Sequence, residues 1–547
     1  MHSQSLKTIS SYTKMINNMN KKYCILYMLG LLSLTSCVTD EGNNDIQAIN
    51  EAKIEGIDDS YYKVAEIETL EIPVQVSGSL SGDDMSRYDF EWFLCESDIG
   101  NSVHEHTVIS RDKDLVYPLK DIKPGTYDIY FRATDKDTKL VFEKECQLNV
   151  ISPYVRGFYL YGDKEDGTVG IDFVSMLENR DTTVIADVFD NTKGIKHAKN
   201  LLFTGTYRAD LEGLWAVTAD DSYRLTYSAS DTKVTFSDND FNDCVWPTVA
   251  TVKKPFKVLD IVPHPYGPAN TMLARTWRCV LTDQAMFFAT LYSGENYGNP
   301  SNCKVAGSED LIDIAPYTFY QGNQRTVSAI CFFDRTNHKF VRLNNTYNTT
   351  NNLVDYTETS ETPFSVDQTK YTPVRDLVYG ENGYGNNGAS YALMNDADGN
   401  YYVYMFRIET VRYQPAFTKA LVKTVDRGAA VDIDKASHYA FYSQQSILLY
   451  SVGNDLWAYN YNTGKAAKVK SFDGEITYMA TDFHSDGNTD DIVVATWSPT
   501  EKGTIYKFEI EDSPNDLKLN DKHYETQSYP WKTNLKVVKI EYRNCSN

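Results

Sequence analysis

The sequence predicts an all-β protein: a small β-sandwich followed by a seven- or eight-bladed β-propeller. Three observations carry that reading. The aromatic content rests on Tyr 40 and Phe 24, with Asn, Thr, Asp, Ser and Gly between them, a mixture of short strands and polar turns. An early stretch alternates apolar and polar residues with period two. A later stretch repeats one strand–turn–strand phrase seven times. The chain has 547 residues, enough for roughly two to four domains. Lys+Arg 53 against Asp+Glu 75 gives a net charge of −22. That balance excludes a nucleic-acid binder, which needs clustered cations, and a basic patch for anionic membranes. A hydrophobic content of 42% excludes both a disordered chain and a polytopic membrane protein.

Residues 1–36 read as a signal peptide. Lys7, Lys14, Lys21 and Lys22 carry its charge without any acid, an apolar run follows from Tyr23 to Leu34, and Thr35-Ser36-Cys37 ends it. That apolar run is too short to span a bilayer, which takes about 20 residues. Either Met1 or Met19 could serve as the start. Leu34-Thr35-Ser36-Cys37 resembles a bacterial lipobox, which implies that Cys37 is lipidated and becomes the mature N-terminus. More than one acyl chain on a residue makes a stable anchor. Residues 37–50 then form an acidic tether, and Asp40-Glu41 looks like the export signal of Bacteroidota lipoproteins. The implied location is the outer membrane, lipid-anchored and facing the exterior.

Residues 51–152 read as the sandwich. The strands expected are Ile67–Val76, Tyr88–Leu94, Leu115–Leu119, Thr126–Thr134 and Leu140–Val150, with turns at Lys123-Pro124-Gly125 and Asp135–Thr138. Turns every 8–15 residues or so suit a small sandwich. The phrases Tyr-Asp-Phe-Glu-Trp, Leu-Val-Tyr-Pro-Leu, Pro-Gly-Thr-Tyr and Arg-Ala-Thr-Asp resemble the PKD-like, or Ig-like, sandwich.

Residues 153–547 read as the propeller. The repeats are Gly157–Phe173, Leu214–Tyr227, Trp277–Tyr292, Ala329–Leu343, Tyr391–Ile408, Ile447–Val469 and Asp491–Ile510. Their spacing, about 56 residues, is near the length of known blades. The 175–213 and 228–270 stretches leave room for further strands, hence seven or eight blades. Lipobox, tether, sandwich and repeats, in that order, resemble the PKD-like family of Bacteroidota lipoproteins. The resemblance implies a cell-surface accessory of TonB-dependent nutrient importers, and it supplies no catalytic residue.

Motifs for chemistry are sparse. Seven cysteines remain beyond Cys24 and Cys37, none in C-x-x-C spacing, and they read as buried small hydrophobes rather than a disulfide frame or zinc site. No H-E-x-x-H, G-x-S-x-G or P-loop occurs. Gly383–Gly388 fits G-x-G-x-x-G but leads into a strand, so it reads as a mobile glycine-rich loop on the propeller face. Asp482, Asp486 and Asp490 bracket a Gly turn and form the best candidate for a structural calcium, with Asp396-Ala-Asp398-Gly-Asn400 a weaker one; a plain Asp-Gly turn is the simpler reading, and no other cofactor or metal is expected. Aromatics in Gly/Asn/Pro loops single out Tyr266, Tyr297 and Tyr384 as candidate ligand contacts, since flat rings beside amides suit sugars or peptides.

The function expected is therefore non-enzymatic: a surface lipoprotein that binds a glycan or peptide nutrient, or a TonB-dependent importer or neighbouring lipoprotein, through propeller loops. The alternative is a glycan-active propeller enzyme using paired carboxylates.

Overall fold

The computed structural model describes residues 48–96, 106–204, 213–226, 233–266, 271–272, 277–292, 294–323, 327, 329–344, 351–358, 360–411, 414–482, 491–510, 517–521 and 530–544. Cys37, the signal and nearly all of the tether lie outside these. The chain divides into two compact units.

The smaller unit gathers the described residues up to Glu55 with Gln75–Asp89 and Ala133–Phe142. Strands Ala52–Glu55 and Gln75–Gly78 pair antiparallel there. Asn50 is buried and ties the unit together. Its Oδ1 accepts from the Leu80 and Ser81 amides, and its Nδ2 donates to Tyr88 at 2.7 Å and Asp135 at 3.2 Å. Arg87 donates to the buried Asp135 at 2.7 Å. That bond, followed by the Thr138 amide, holds the Asp135 carboxyl well below its ordinary range.

The larger unit holds the remaining sandwich strands and all the repeats. Most of a five-stranded sheet falls in it, in the order Ser60–Val64, Val141–Ile151, Gly125–Asp135, Tyr88–Glu96, Thr107–Ser110. Trp92 and Phe131 are fully buried with ring centroids 4.7 Å apart. The strand expected over Ile67–Val76 is broken in two, Thr69–Ile72 and Gln75–Gly78. Pro73 stands between them, and it has no N–H for the ladder.

After Pro153 the described residues form, besides a separate two-stranded hairpin of Pro265–Tyr266 with Thr271–Met272, seven sheets of three to five strands, which we number as blades 1 to 7. Their innermost strands are Lys536–Asn544, Ala198–Thr204, Val258–Val262, Ile314–Phe319, Arg375–Asn382, His438–Tyr442 and Glu475–Asp482. Seven buried apolar clusters separate them, one for each neighbouring pair, including blade 7 with blade 1. The period of two explains how one strand serves two neighbours. Leu201 and Phe203 enter the cluster shared with blade 1, whereas Leu202 enters the one shared with blade 3.

The ring closes within blade 1, where Arg156–Asp163 pairs on one side with Val169–Ser175 and on the other with the C-terminal Lys536–Asn544. Gly162 sits at the bulge of that ladder. A Cβ there would meet the Lys536 carbonyl oxygen at 2.2 Å, so only glycine admits the approach. The strands hidden in 175–213 and 228–270 belong to blades 1, 2 and 3, and the described residues form no eighth blade.

Candidate functional site

The inner strands run out toward a common cavity of about 280 Å³. Blades 1, 2, 3, 4, 5 and 7 all line it. The strand Ala198–Thr204 contributes Leu202 and Phe203, Val258–Val262 gives Asp260, Arg375–Asn382 gives Tyr379 to Asn382, and Glu475–Asp482 gives Tyr478, Ala480, Thr481 and Asp482. Apart from Asp260, at the centre of its strand, these residues lie toward the C-terminal ends of their strands. Lys539, Glu541 and Tyr542 come from the closing strand, and Tyr317 and Tyr320 from blade 4. An inner strand has one edge against its own blade and the other toward the channel, so polar residues are tolerated there that the blade interfaces exclude.

The charged groups of the channel are paired. His264 Nε2 lies 2.8 Å from Asp260 Oδ1. Burial alone would lower the His264 pKa, but the Asp260 charge and hydrogen bond outweigh it and raise the imidazole above 6.5. Burial likewise opposes the Asp260 charge, and the same His264 contact holds the carboxyl below its ordinary 3.8. Lys539 Nζ and a Glu541 oxygen are 3.5 Å apart, longer than a good hydrogen bond. Burial raises the Glu541 carboxyl, and Lys539 and His264 only partly offset it. Glu381 is a clasp between blades. It accepts from the Phe441 amide at 2.6 Å, from Thr481 Oγ1 at 3.0 Å and from Tyr379 at 3.2 Å. Tyr317 meets Tyr379 edge-on at 5.4 Å, and its hydroxyl has no hydrogen-bond partner among the described residues.

The aromatic loops divide three ways. Tyr266 pairs with Thr271 in a minimal hairpin directly after His264, so its loop leaves the inner strand of blade 3 at the cavity; its side chain lies outside the described residues. Tyr384 is half-buried and heads the Gly385–Gly388 turn, which follows the inner strand of blade 5. The mobility expected of this glycine loop is replaced by anchoring. The Gly385 amide donates to Ser443 Oγ at 2.7 Å, Asn386 donates to the Ser443 carbonyl at 2.9 Å, and Gln321 donates to the Asn387 carbonyl at 3.1 Å. Asn386 and Asn387 take φ of 50° and 60°, a conformation that Asn tolerates better than most residues. Tyr297 is a correction. It is 1% exposed, packs on Phe241 at 5.0 Å and donates to Glu295 at 2.7 Å, so it is a core residue of blade 3 and not an open loop aromatic.

The calcium reading also changes. Asp482 is buried and bound by Lys507 at 2.9 Å, and Lys507 lies 3.2 Å from Asp491 as well. The carboxylates at the neck of that loop thus neutralise an internal lysine. Asp486 and Asp490 lie outside the described residues, among which no His, Cys, Asp or Glu group suits a metal. Asp260, His264, Lys539, Glu541 and Glu381 were not singled out from sequence. One signal was legible: Lys539 and Glu541 occupy alternate positions in the apolar closing strand, placing both charges on one face.

Residues 37–200 match the PKD-like family, a span that runs beyond the sandwich into blade 1. No curated protein matches the chain. Among solved structures, a quinonprotein alcohol dehydrogenase-like protein from Bacteroides thetaiotaomicron is similar at 12% identity and TM-score 0.35, covering 88% of this chain and 96% of its own. The extracellular domain of a putative one-component system from B. thetaiotaomicron aligns at 11% identity and TM-score 0.25, covering 63% and 38%. PorZ, a surface component of the type IX secretion system of Porphyromonas gingivalis, aligns at 11% and 0.17, covering 84% and 59%.

Proposed function

We propose, from the match of residues 37–200 to the PKD-like family, a surface-exposed, lipid-anchored outer-membrane protein that captures a nutrient ligand without turning it over. The ligand, a glycan or peptide, or the TonB-dependent importer that takes it, meets the propeller at the channel mouth. One observation carries the reading. Six of seven inner strands deliver side chains to a single cavity, and the loops of Tyr266 and Tyr384 leave inner strands at that same end. Loops on a rigid scaffold are where binding residues concentrate. The lipobox register at Cys37 supports the anchor, and the family match begins at that residue.

A second reading, glycan cleavage, has an observation of its own. Asp260 is held below its ordinary pKa while Glu541 is pushed above, and carboxyls driven apart in one site are the mark of an acid and a base. One experiment separates the two: a panel of glycans and peptides assayed for binding and for released product. Saturable binding with no product supports capture, and repeated turnover on any member overturns it.

A further inference from the structure

We propose that the channel holds one uncharged, polyhydroxylated ring, the terminal sugar of a neutral glycan. This rests on the reading of the channel mouth as the binding face and narrows it: a peptide end, an amino acid and an acidic sugar are excluded. The size comes first. At about 280 Å³ the cavity is just below the roughly 300–1,000 Å³ of drug-sized sites, so it admits a single ring while the remaining units lie outside, across the loops.

The charge arrangement gives the class. Each charged side chain facing the cavity already has a counter-charge or a full set of donors: Asp260 with His264, Glu541 with Lys539, Asp482 with Lys507, and Glu381 with its three donors. An ionic ligand competes with one of these buried or part-buried pairs, and the partner it displaces keeps its charge without a counter-charge, a cost that offsets much of what the new ion pair returns. A hydroxyl imposes no such exchange. It donates and accepts at once, so one hydroxyl on the cavity side can bridge Lys539 and Glu541, accepting from the ammonium and donating to the carboxylate. Their 3.5 Å contact leaves ammonium protons and carboxylate lone pairs unused. The second ring nitrogen of His264 and the hydroxyl of Tyr317 offer two more polar contacts nearby. Bonds to ionised groups are shorter and about twice as strong as neutral ones, which is how uncharged ligands gain orientation from charged sites. The Tyr317–Tyr379 pair supplies apolar surface for the C–H face of a ring.

The test uses the full chain in detergent with methyl glucoside, methyl galactoside and methyl mannoside as neutral probes. Glucuronate, glucosamine, glutamate and lysine serve as charged ones. Binding is read by saturation-transfer NMR and calorimetry at about 20 and 500 mM salt, a span over which exposed ionic attraction is largely screened. At least one neutral glycoside should bind, with a Kd that shifts less than about twofold between the two salts. The double variant Lys539→Met/Glu541→Leu, which leaves no lone buried charge, should weaken it at least about tenfold with an unchanged melting temperature. A charged probe that binds more tightly than every neutral one overturns the proposal. Neutral binding that the double variant leaves intact but Tyr384→Ala abolishes also overturns it, while the binding-face reading stands. If no probe and no longer glycan or peptide binds, both fall.

Discussion

Arg156 donates from Nε to the phenolic oxygen of Tyr542 at 3.2 Å across 386 residues of chain. The bond lies in the ladder that closes the propeller, where Leu160 faces Ile540 and the Phe158 and Tyr542 rings meet at 5.4 Å. Without Lys536–Asn544 the inner edge of Arg156–Asp163 has no partner. Ile540 is 6% exposed, so Ile540→Ala should cost about 2–5 kcal/mol, read as a lower urea midpoint. Deleting residues 536–547 should abolish cooperative unfolding and remove Lys539 and Glu541 from the channel. A truncated chain that melts like the intact one would show that closure is dispensable.

Lys507 is fully buried between Asp482 and Asp491, themselves buried. Removing a buried cation takes the Lys507 charge from two neighbouring buried carboxylates, and breaking a buried pair this way costs about 3–5 kcal/mol. Lys507→Met should therefore be strongly destabilised at neutral pH. The sign of its pH response is opposite to that of an ordinary ion pair. Stranded carboxylates have folded pKa values above their unfolded ones, so acidification stabilises the variant relative to the wild type. Melting curves at pH 5 and pH 8 check this, and a gap that stays constant between them would count against the assignment.

The Asp260–His264 pair predicts a pH window. His264 is raised above 6.5, so its contribution to stability is complete below pH 6.5 and fades as pH rises through the folded value. Asp260 is held below 3.8, so its contribution is present above pH 3.8 and fades only in stronger acid. Lys539 and Glu541 face the same imidazole with opposite effects and leave the direction unchanged. The His264 side chain is 45% exposed, which keeps the effect small. His264→Gln should flatten the decline in melting temperature above pH 6.5, and an unaltered profile would show that the pair does not titrate there.

How much of this was legible depends on which strand is considered. The seven repeats read in the sequence, such as Leu214–Tyr227 and Asp491–Ile510, are the second and third strands of each blade. Those strands pack on both faces: Gly213–Thr218 and Val169–Ser175 are buried at every position, which yields unbroken apolar runs. The innermost strands went mostly unread because their residues border a polar channel. Arg375–Asn382 has no fully buried residue, and Val258–Val262 carries Asp260 in its centre. The channel cluster was hidden for the same reason. Its members come from three strands more than 100 positions apart, Val258–Val262, Arg375–Asn382 and Lys536–Asn544, and no spacing rule links Asp260 to Lys539. Tyr297 misled because the Gly/Asn residues around it resemble an open loop, whereas its Glu295 contact and its place among Phe241 and Phe287 depend on tertiary packing.

The proposed lipidation at Cys37 makes a prediction that does not involve the propeller. Two or more acyl chains hold a protein on a bilayer, and none of its other features needs to. Cys37→Ala should move the protein from the membrane fraction to the soluble one while its propeller melts as before. Membrane retention by the variant would mean that something other than the lipid anchors it.

Tyr384 gives the most direct probe of the face itself. The loop it heads is anchored to blade 6 through Ser443 and to blade 4 through Gln321, so the ring is held in place before any ligand arrives. A pre-positioned aromatic loses little entropy on binding, and its burial contributes roughly 1.5–3 kcal/mol. Tyr384→Ala should therefore weaken ligand binding by about ten- to a hundredfold. The anchoring bonds of Gly385, Asn386 and Asn387 remain in the variant, so the loop should keep its place. Tyr266→Ala, on the loop that leaves blade 3 after His264, tests whether a second blade shares the contact. If both variants bind as the wild type does, the ligand sits elsewhere on the propeller; if Tyr384→Ala also lowers the melting temperature, the ring is part of the loop's own packing and the loss of binding is indirect.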